Sequence, residues 1–205
     1  MNLIVFGASG GTGNAFVRQA IAAGHHVTAF VRTPSKLETS HKNLSVELGD
    51  AMQAADVKQV MRPEFDAVIS CLGANGLGKT TDLSTMTANI LDAMSIHDVK
   101  RIIYMASAGI NKEIPGVTGF IAGKLLKNVL ADHRRAADLL AASDTDWTVA
   151  RPMGLTNDGR TSDYRKATSG VPRGGRRISR EDVADFMLKA ATEHLYIRQS
   201  IGLAN

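Results

Sequence analysis

The chain has 205 residues, 44% hydrophobic, 21% charged and 5% aromatic, with a formal net charge of +4. That is enough chain to bury about 70% of its extended surface, and no segment reads as disordered, fibrous or low in complexity. The one cysteine excludes an internal disulfide framework and any multi-cysteine zinc or iron–sulfur site, and no metal is expected. The apolar stretches stop far short of the ~20 residues of a spanning helix. The start, Met1-Asn2-Leu3-Ile4-Val5-Phe6, lacks the charged lead of a signal peptide. The expectation is a soluble cytoplasmic protein without a membrane partner; a monomer is the simpler assumption.

In chain order the pattern is strand, turn, amphipathic helix, repeated. Leu3–Phe6 is an apolar run ending in glycines, and a helical pattern follows through Phe16, Val17, Ala20 and Ile21 until Gly24. His26–Val31 and Leu44–Leu48 read as strands, and a helix near Gln53–Met61 closes at Pro63. Ala67–Leu72 is a strand, Leu83–Ile96 a helix and Arg101–Ala106 a strand. One long helix is predicted over Lys124–Ala142, then a strand over Trp147–Ala150 ended by Pro152. The tail adds Arg177–Ser179, a helix from Arg180 and a last strand near Ser200–Leu203. Alternating strands and helices predict an α/β doubly wound, mostly parallel sheet, one domain over residues 1–205 with a small C-terminal portion. Ligands of such sheets bind beyond the carboxyl ends of the strands.

After the first strand stands Gly7-Ala8-Ser9-Gly10-Gly11-Thr12-Gly13. Gly7 can make the tight turn, Gly10 lets a pyrophosphate approach the backbone, and Gly13 lets the helix pack on the strand. The free N–H groups and positive end of that helix then favour phosphate. The spacing is G-x-x-G-x-x-G, and between an apolar strand and an amphipathic helix it predicts a dinucleotide site including Ser9, Gly11 and Thr12.

Arg32 stands nineteen residues past Gly13, at the end of the second strand, with Lys36 one turn on and no acid before Glu38. NAD selects a carboxylate there and NADP a cation, so NADPH is expected over NADH. Asp50 and Ala51 follow the third strand, where a carboxylate can accept from the adenine amino group. Cys71, Leu72 and Gly73 follow the fourth and allow close approach to a ribose. Cys71 has no neighbouring cation or histidine and reads as a buried small hydrophobe. Strand-end residues Met105, Ala106, Pro152 and Met153 complete the expected cofactor contacts.

Ser107 ends the fifth strand where short-chain dehydrogenases keep a catalytic serine. Their Tyr-x-x-x-Lys partner is missing, because the residues four after Tyr104, Tyr164 and Tyr196 are Ala108, Thr168 and Ser200. Without that proton donor, ketone reduction and sugar epimerisation are ruled against. Hydride transfer to an acceptor that draws its proton from water stays open, with proximity supplying most of the catalysis.

Between Arg160 and Arg180 lie seven basic residues (Arg160, Arg165, Lys166, Arg173, Arg176, Arg177, Arg180) against one acid, Asp163. No interleaved aromatics or nucleic-acid motif accompany them, so a nucleic-acid partner is not expected. The stretch is either a solvated loop or, because it follows the sixth strand, a rim of the pocket that attracts a small anionic ligand.

Nearly the whole chain resembles the biliverdin-IXβ reductase or NADPH-dependent flavin reductase family, atypical short-chain dehydrogenases with a Rossmann-like fold. The resemblance rests on Gly7–Gly13, Val31-Arg32, Gly49 through Val57, Asp66–Ile69, Ser107-Ala108, Asp132-His133-Arg134, and Arg177–Ser179 with Phe186–Leu188. It implies an NADPH-dependent reductase of free flavins, linear tetrapyrroles or quinones. Flavin is then a substrate rather than a prosthetic group, with Ser107 and His133 near the nicotinamide as catalytic candidates. The family's histidine after a proline pair is absent, since this chain reads Arg151-Pro152-Met153, and the Asn75–Asp82 loop also differs. The alternative is a non-catalytic NADP-binding redox sensor of the NmrA type.

Overall fold

The computed structural model describes residues 1–37, 39–114 and 116–205. Its elements are β1 (Asn2–Phe6), α1 (Gly11–Ala22), β2 (His26–Val31), a short helical turn Pro34–Lys36, β3 (Leu44–Leu48), α2 (Ala54–Val60), β4 (Ala67–Ser70), α3 (Asp82–Ile96) and β5 (Arg101–Met105). Then come α4 (Gly116–Leu125), α5 (Lys127–Ala142), β6 (Asp146–Pro152), β7 (Gly154–Thr156), β8 (Arg165–Ala167), β9 (Arg177–Ser179), α6 (Arg180–Thr192) and β10 (Gln199–Ala204). The main sheet has the order β3-β2-β1-β4-β5-β6-β10-β8 and is parallel except for β8, which runs antiparallel to β10. β7 and β9 pair separately in parallel. This is the Rossmann-like doubly wound fold.

The alternation along the strands explains the two faces. Leu3 and Val5 point into one core with α1 and α6, whereas Ile4 and Phe6 point into the other with α2, α3 and α5. The same division runs through Ala67 and Ile69 against Val68, and Ile103 against Ile102 and Tyr104. A strand buried on both faces therefore reads as a continuous apolar run. Strand order reverses between β1 and β4, which opens a crevice at their carboxyl ends.

The expected Lys124–Ala142 helix is two helices, α4 and α5, separated at Leu126. β7 and β8 were not expected; each is three residues long, too short for periodicity to mark. Trp147 is half-buried and packs against the α2–α3–α5 core. No helix among the described residues is long and apolar enough to cross a membrane.

Candidate functional site

The crevice at the switch point is a polar cleft of about 310 Å³, walled by Gly7, Ser9, Gly10, Arg32, Thr33, Lys36, Gly49, Asp50, Ala51, Cys71, Leu72 and Gly73 among others. Its floor is possible only with glycine at two places. Gly7 has φ +77°, and a Cβ on it would lie 2.7 Å from the Cys71 carbonyl; a Cβ on Gly13 would lie 2.1 Å from the Gly7 oxygen. Thr12 and Gly13 are buried beneath the turn, while Gly11 is exposed beside the Arg180 side chain. Helix α1 begins at Gly10 without a side-chain cap and without an acid in its first turn. Its leading N–H groups thus face the cleft mouth uncapped, the arrangement that takes an anion.

Arg32 and Lys36 are exposed on the far wall, and neither makes an ion pair among the described residues. Opposite, Asp50 Oδ1 accepts from Met52 N at 3.0 Å, and Asp50 N donates to Asp56 Oδ2 at 2.9 Å. From α3, Asn89 Nδ2 donates to the carbonyls of Ala51 at 2.9 Å and Met52 at 3.2 Å, pinning this loop. Helix α3 is itself held by Asp132 of α5. That fully buried carboxylate accepts from Leu83 N at 2.9 Å, Ser84 N at 3.2 Å and Ser84 Oγ at 2.6 Å. Asp56, Asn89 and Asp132 are supports that single-residue reading passes over, because their partners lie six to forty-nine positions away. Cys71 lies in the wall, and burial pushes its thiol up to about 12, so it acts as packing and not as a nucleophile.

A second cavity, about 720 Å³, opens two residues beyond Ser107. Gly109, Ile110, Ile114, Gly119, Gly123, Leu130 and Ala131 give it an apolar lining, and Lys112, Lys124, Lys127 and Arg134 bring four cations to it. Sequence reasoning missed this groove. Its cations come from a loop and two helices, and the only local signal is the Gly119-x-x-x-Gly123 spacing that opens one face of α4.

Met105, Ala106, Ser107, Pro152 and Met153 gather at the carboxyl ends of β5 and β6, outside the walls of the 310 Å³ cleft. Ser107 is half-buried, and its Oγ donates to the Ala108 carbonyl at 3.0 Å. His133 lines neither cavity. It is 6% exposed, and its Nδ1 shares a 2.9 Å hydrogen bond with Tyr104 Oη in the core. Burial pulls the imidazole down to about 4, despite the Asp132 carboxylate beside it, and pushes the Tyr104 phenol above its ordinary range. His133, expected beside a nicotinamide, is turned inward by its helix against Tyr104.

None of the seven basic residues lines either cavity, although Arg180 lays its side chain beside Gly11 at the glycine turn. β8 carries it to the sheet's outer edge, where Arg165 donates to the carbonyls of Arg173 at 2.5 Å and Asn205 at 2.7 Å. The buried carboxylate of Asp182 straps the segment's start to α6, accepting from Thr161 N and Ser162 N, each at 2.8 Å. Burial alone would raise this carboxyl, but those N–H groups outweigh it and hold it low. The stretch does reach the level of the β6 carboxyl end, since Lys166 pairs with Leu203 beside Pro152 and Arg177 with Gly154, but β8 stands at the sheet's outer edge, lateral to both cavities.

Residues 7–194 match the family model described as NAD(P)H-binding. The chain belongs to the NAD(P)H-binding family. Among related proteins it is similar to the reductase pytE of Aspergillus terreus, at 28% identity over 93% of this chain and 89% of that one. A Rossmann-fold NAD(P)-binding family protein from Shigella flexneri superposes with a TM-score of 0.80 at 27% identity, covering 100% of this chain and 93% of the other. ChuY, an anaerobilin reductase of Escherichia coli O157:H7, shares the fold, with a TM-score of 0.82, 21% identity, and coverage of 100% and 97%.

The residues present fit the cofactor of the NAD(P)H-binding family. The uncapped α1 terminus suits a pyrophosphate, and Gly7 and Gly13, where a Cβ would strike the Cys71 carbonyl and the Gly7 oxygen, let the turn fold tightly enough to present that terminus. No acid occurs in the first 37 residues, so Arg32 and Lys36 are the charges of their wall, while Asp50 and Asp82 also line the cleft.

Proposed function

We propose that the protein is an NADPH-dependent reductase that passes hydride to a flat, conjugated, anionic acceptor such as a free flavin or a linear tetrapyrrole. The observation that carries this reading is the apolar groove of about 720 Å³ with four cations, lined from Gly109 onward just past the β5 strand end, in a chain whose other cleft is walled by the residues that follow β1 to β4. An apolar body with acidic ends suits such a groove: rings against Ile110, Ile114 and Leu130, acid groups at the cations. The Escherichia coli neighbour's action on a bilin, and the name reductase of the Aspergillus relative, agree with it.

In this reading Arg32 and Lys36 take the 2′-phosphate, favouring NADPH over NADH. Gly7, Ser9, Gly10 and the α1 terminus hold the pyrophosphate, and Asp50 and Ala51 flank the adenine. Leu72 and Gly73 meet ribose, while Ser107, Met105, Ala106, Pro152 and Met153 bracket the nicotinamide end. NADPH, when bound, supplies the hydride. The acceptor's proton comes from water, because Tyr104, His133 and Cys71 are all shifted by burial away from titrating near neutrality. Ser107 orients the carboxamide or the acceptor, so Ser107→Ala slows turnover without abolishing it. NADPH oxidation measured against FMN, riboflavin, biliverdin isomers and a quinone tests the reading. Turnover with the anionic conjugated compounds supports it, and tight NADPH binding without oxidation by any of them returns the protein to a redox sensor.

A further inference from the structure

Arg151 stands near the end of β6, beside the place where the resembling family has its proline pair. It is 1% exposed, the largest side chain so fully buried among the described residues. Its guanidinium pairs with Glu113, which is also buried, while Nε donates to Ser200 Oγ at 2.8 Å and Nη2 to the Ser200 carbonyl at 3.3 Å. A buried ion pair is weak evidence for stability, since desolvation offsets much of the attraction, but it fixes geometry strongly.

Glu113 belongs to the loop that walls the groove. Its second oxygen accepts from Asn111 N at 2.8 Å, and Asn111 Oδ1 accepts from Arg134 Nη1 at 2.5 Å. Arg134 is one of the groove's four cations, and its Nε donates to Asp138 at 2.8 Å. Between Gly109 and Glu113 the loop turns through Lys112 with φ +58°, a left-handed conformation uncommon outside glycine. A continuous set of contacts thus runs from β10 through Arg151, Glu113 and Asn111 to a guanidinium at the groove wall.

We propose that Arg151 is a positioning residue: through Glu113 and Asn111 it fixes the Arg134 guanidinium at the groove wall and so sets the preference for anionic over neutral acceptors. This rests on the groove being the acceptor site. Without the latch the loop and Arg134 become free to relax into solvent, and an anionic group loses its aligned partner while apolar contacts with the rings remain.

The test uses protein loaded with NADP⁺ and measures the dissociation constants of FMN and uncharged riboflavin by flavin fluorescence. Arg134→Gln is expected to weaken FMN about tenfold with riboflavin within about twofold, the scale of one charge-assisted hydrogen bond. Glu113→Gln is expected to shift the FMN/riboflavin ratio in the same direction, and the double variant to be no worse than Arg134→Gln, as coupled residues require. Asn111→Ala breaks the link without touching the buried pair; it decides between the outcomes if Glu113→Gln does not fold, and NADPH affinity reports folding in every case. An unchanged ratio in Glu113→Gln or Asn111→Ala beside a changed one in Arg134→Gln overturns the latch alone. Equal weakening of both flavins by the latch variants also overturns it, because a merely structural role predicts that. A wild-type protein that binds FMN and riboflavin alike overturns the acceptor reading and the latch with it.

Discussion

His133 offers a quantitative test of where the chemistry does not lie. It is neutral in the folded chain, pulled by burial from 6.5 to about 4, whereas in the unfolded chain it titrates near 6.5. Below pH 6.5 the unfolded state therefore binds a proton that the native state refuses, and folding stability falls as pH falls until the native imidazole also protonates near 4. Between pH 7 and 4.5 this one group should remove about 2.5 kcal/mol of stability. His133→Asn keeps an acceptor for the Tyr104 hydroxyl but cannot be protonated. At pH 7 it should cost about 1 kcal/mol, the scale of a perturbed hydrogen bond. At pH 4.5 the gap should close or reverse, since the variant lacks the acid loss. Urea unfolding at half-unit pH steps measures both proteins. Parallel pH profiles, or an imidazole that titrates near 6.5 by NMR in the native protein, would refute the burial argument. The same variant separates mechanism from folding: as core support His133 should change turnover only a few-fold, whereas loss of a general acid costs roughly 10²–10⁴.

Arg32→Asp should lower NADPH affinity about ten- to a hundred-fold and narrow the preference over NADH, since one charge-assisted contact is worth about 1.5–3 kcal/mol. Calorimetric titration with both nucleotides checks it, and an unchanged ratio removes Arg32 from the 2′-phosphate. Gly13→Ala should abolish dinucleotide binding, because the new Cβ would stand 2.1 Å from the Gly7 oxygen and force the turn open; retained affinity would contradict the close-approach argument. Neutralising Lys112 and Lys127 together should raise the Michaelis constant for FMN more than for riboflavin and flatten its salt dependence. Neutralising Arg165, Lys166 and Arg173 should leave both unchanged in the same assay, because those three lie at the sheet's edge.

Most of the fold is legible because doubly buried strands are short apolar runs bounded by turns, as with β1 and β4, and the expected limits of β2 and of the exposed edge strand β3 also coincide with the observed ones. The glycine turn, Arg32, Lys36, Asp50 and Cys71–Gly73 converge on one cleft because a parallel sheet brings successive strand ends together. The rest depends on long-range placement. His133 sits on a helix rich in charged residues, but the helical phase that packs Leu130, Ala136 and Leu140 also turns it toward Tyr104. The basic stretch follows a strand that ends near the cleft, yet β8 lies two strands beyond β6 at the sheet's outer edge, so Arg165 and Lys166 stand lateral to it. Arg151 and Glu113 carry opposite charges thirty-eight residues apart, and no local pattern pairs them.

Anaerobic single-turnover mixing of the NADPH-loaded protein with FMN, followed at the absorbance of NADPH and of oxidised flavin together, tests the central claim most directly. One NADPH should be lost for each flavin reduced, at a rate that depends on the groove cations and persists in His133→Asn. Stable NADPH absorbance in the presence of bound FMN would contradict hydride transfer to the acceptor.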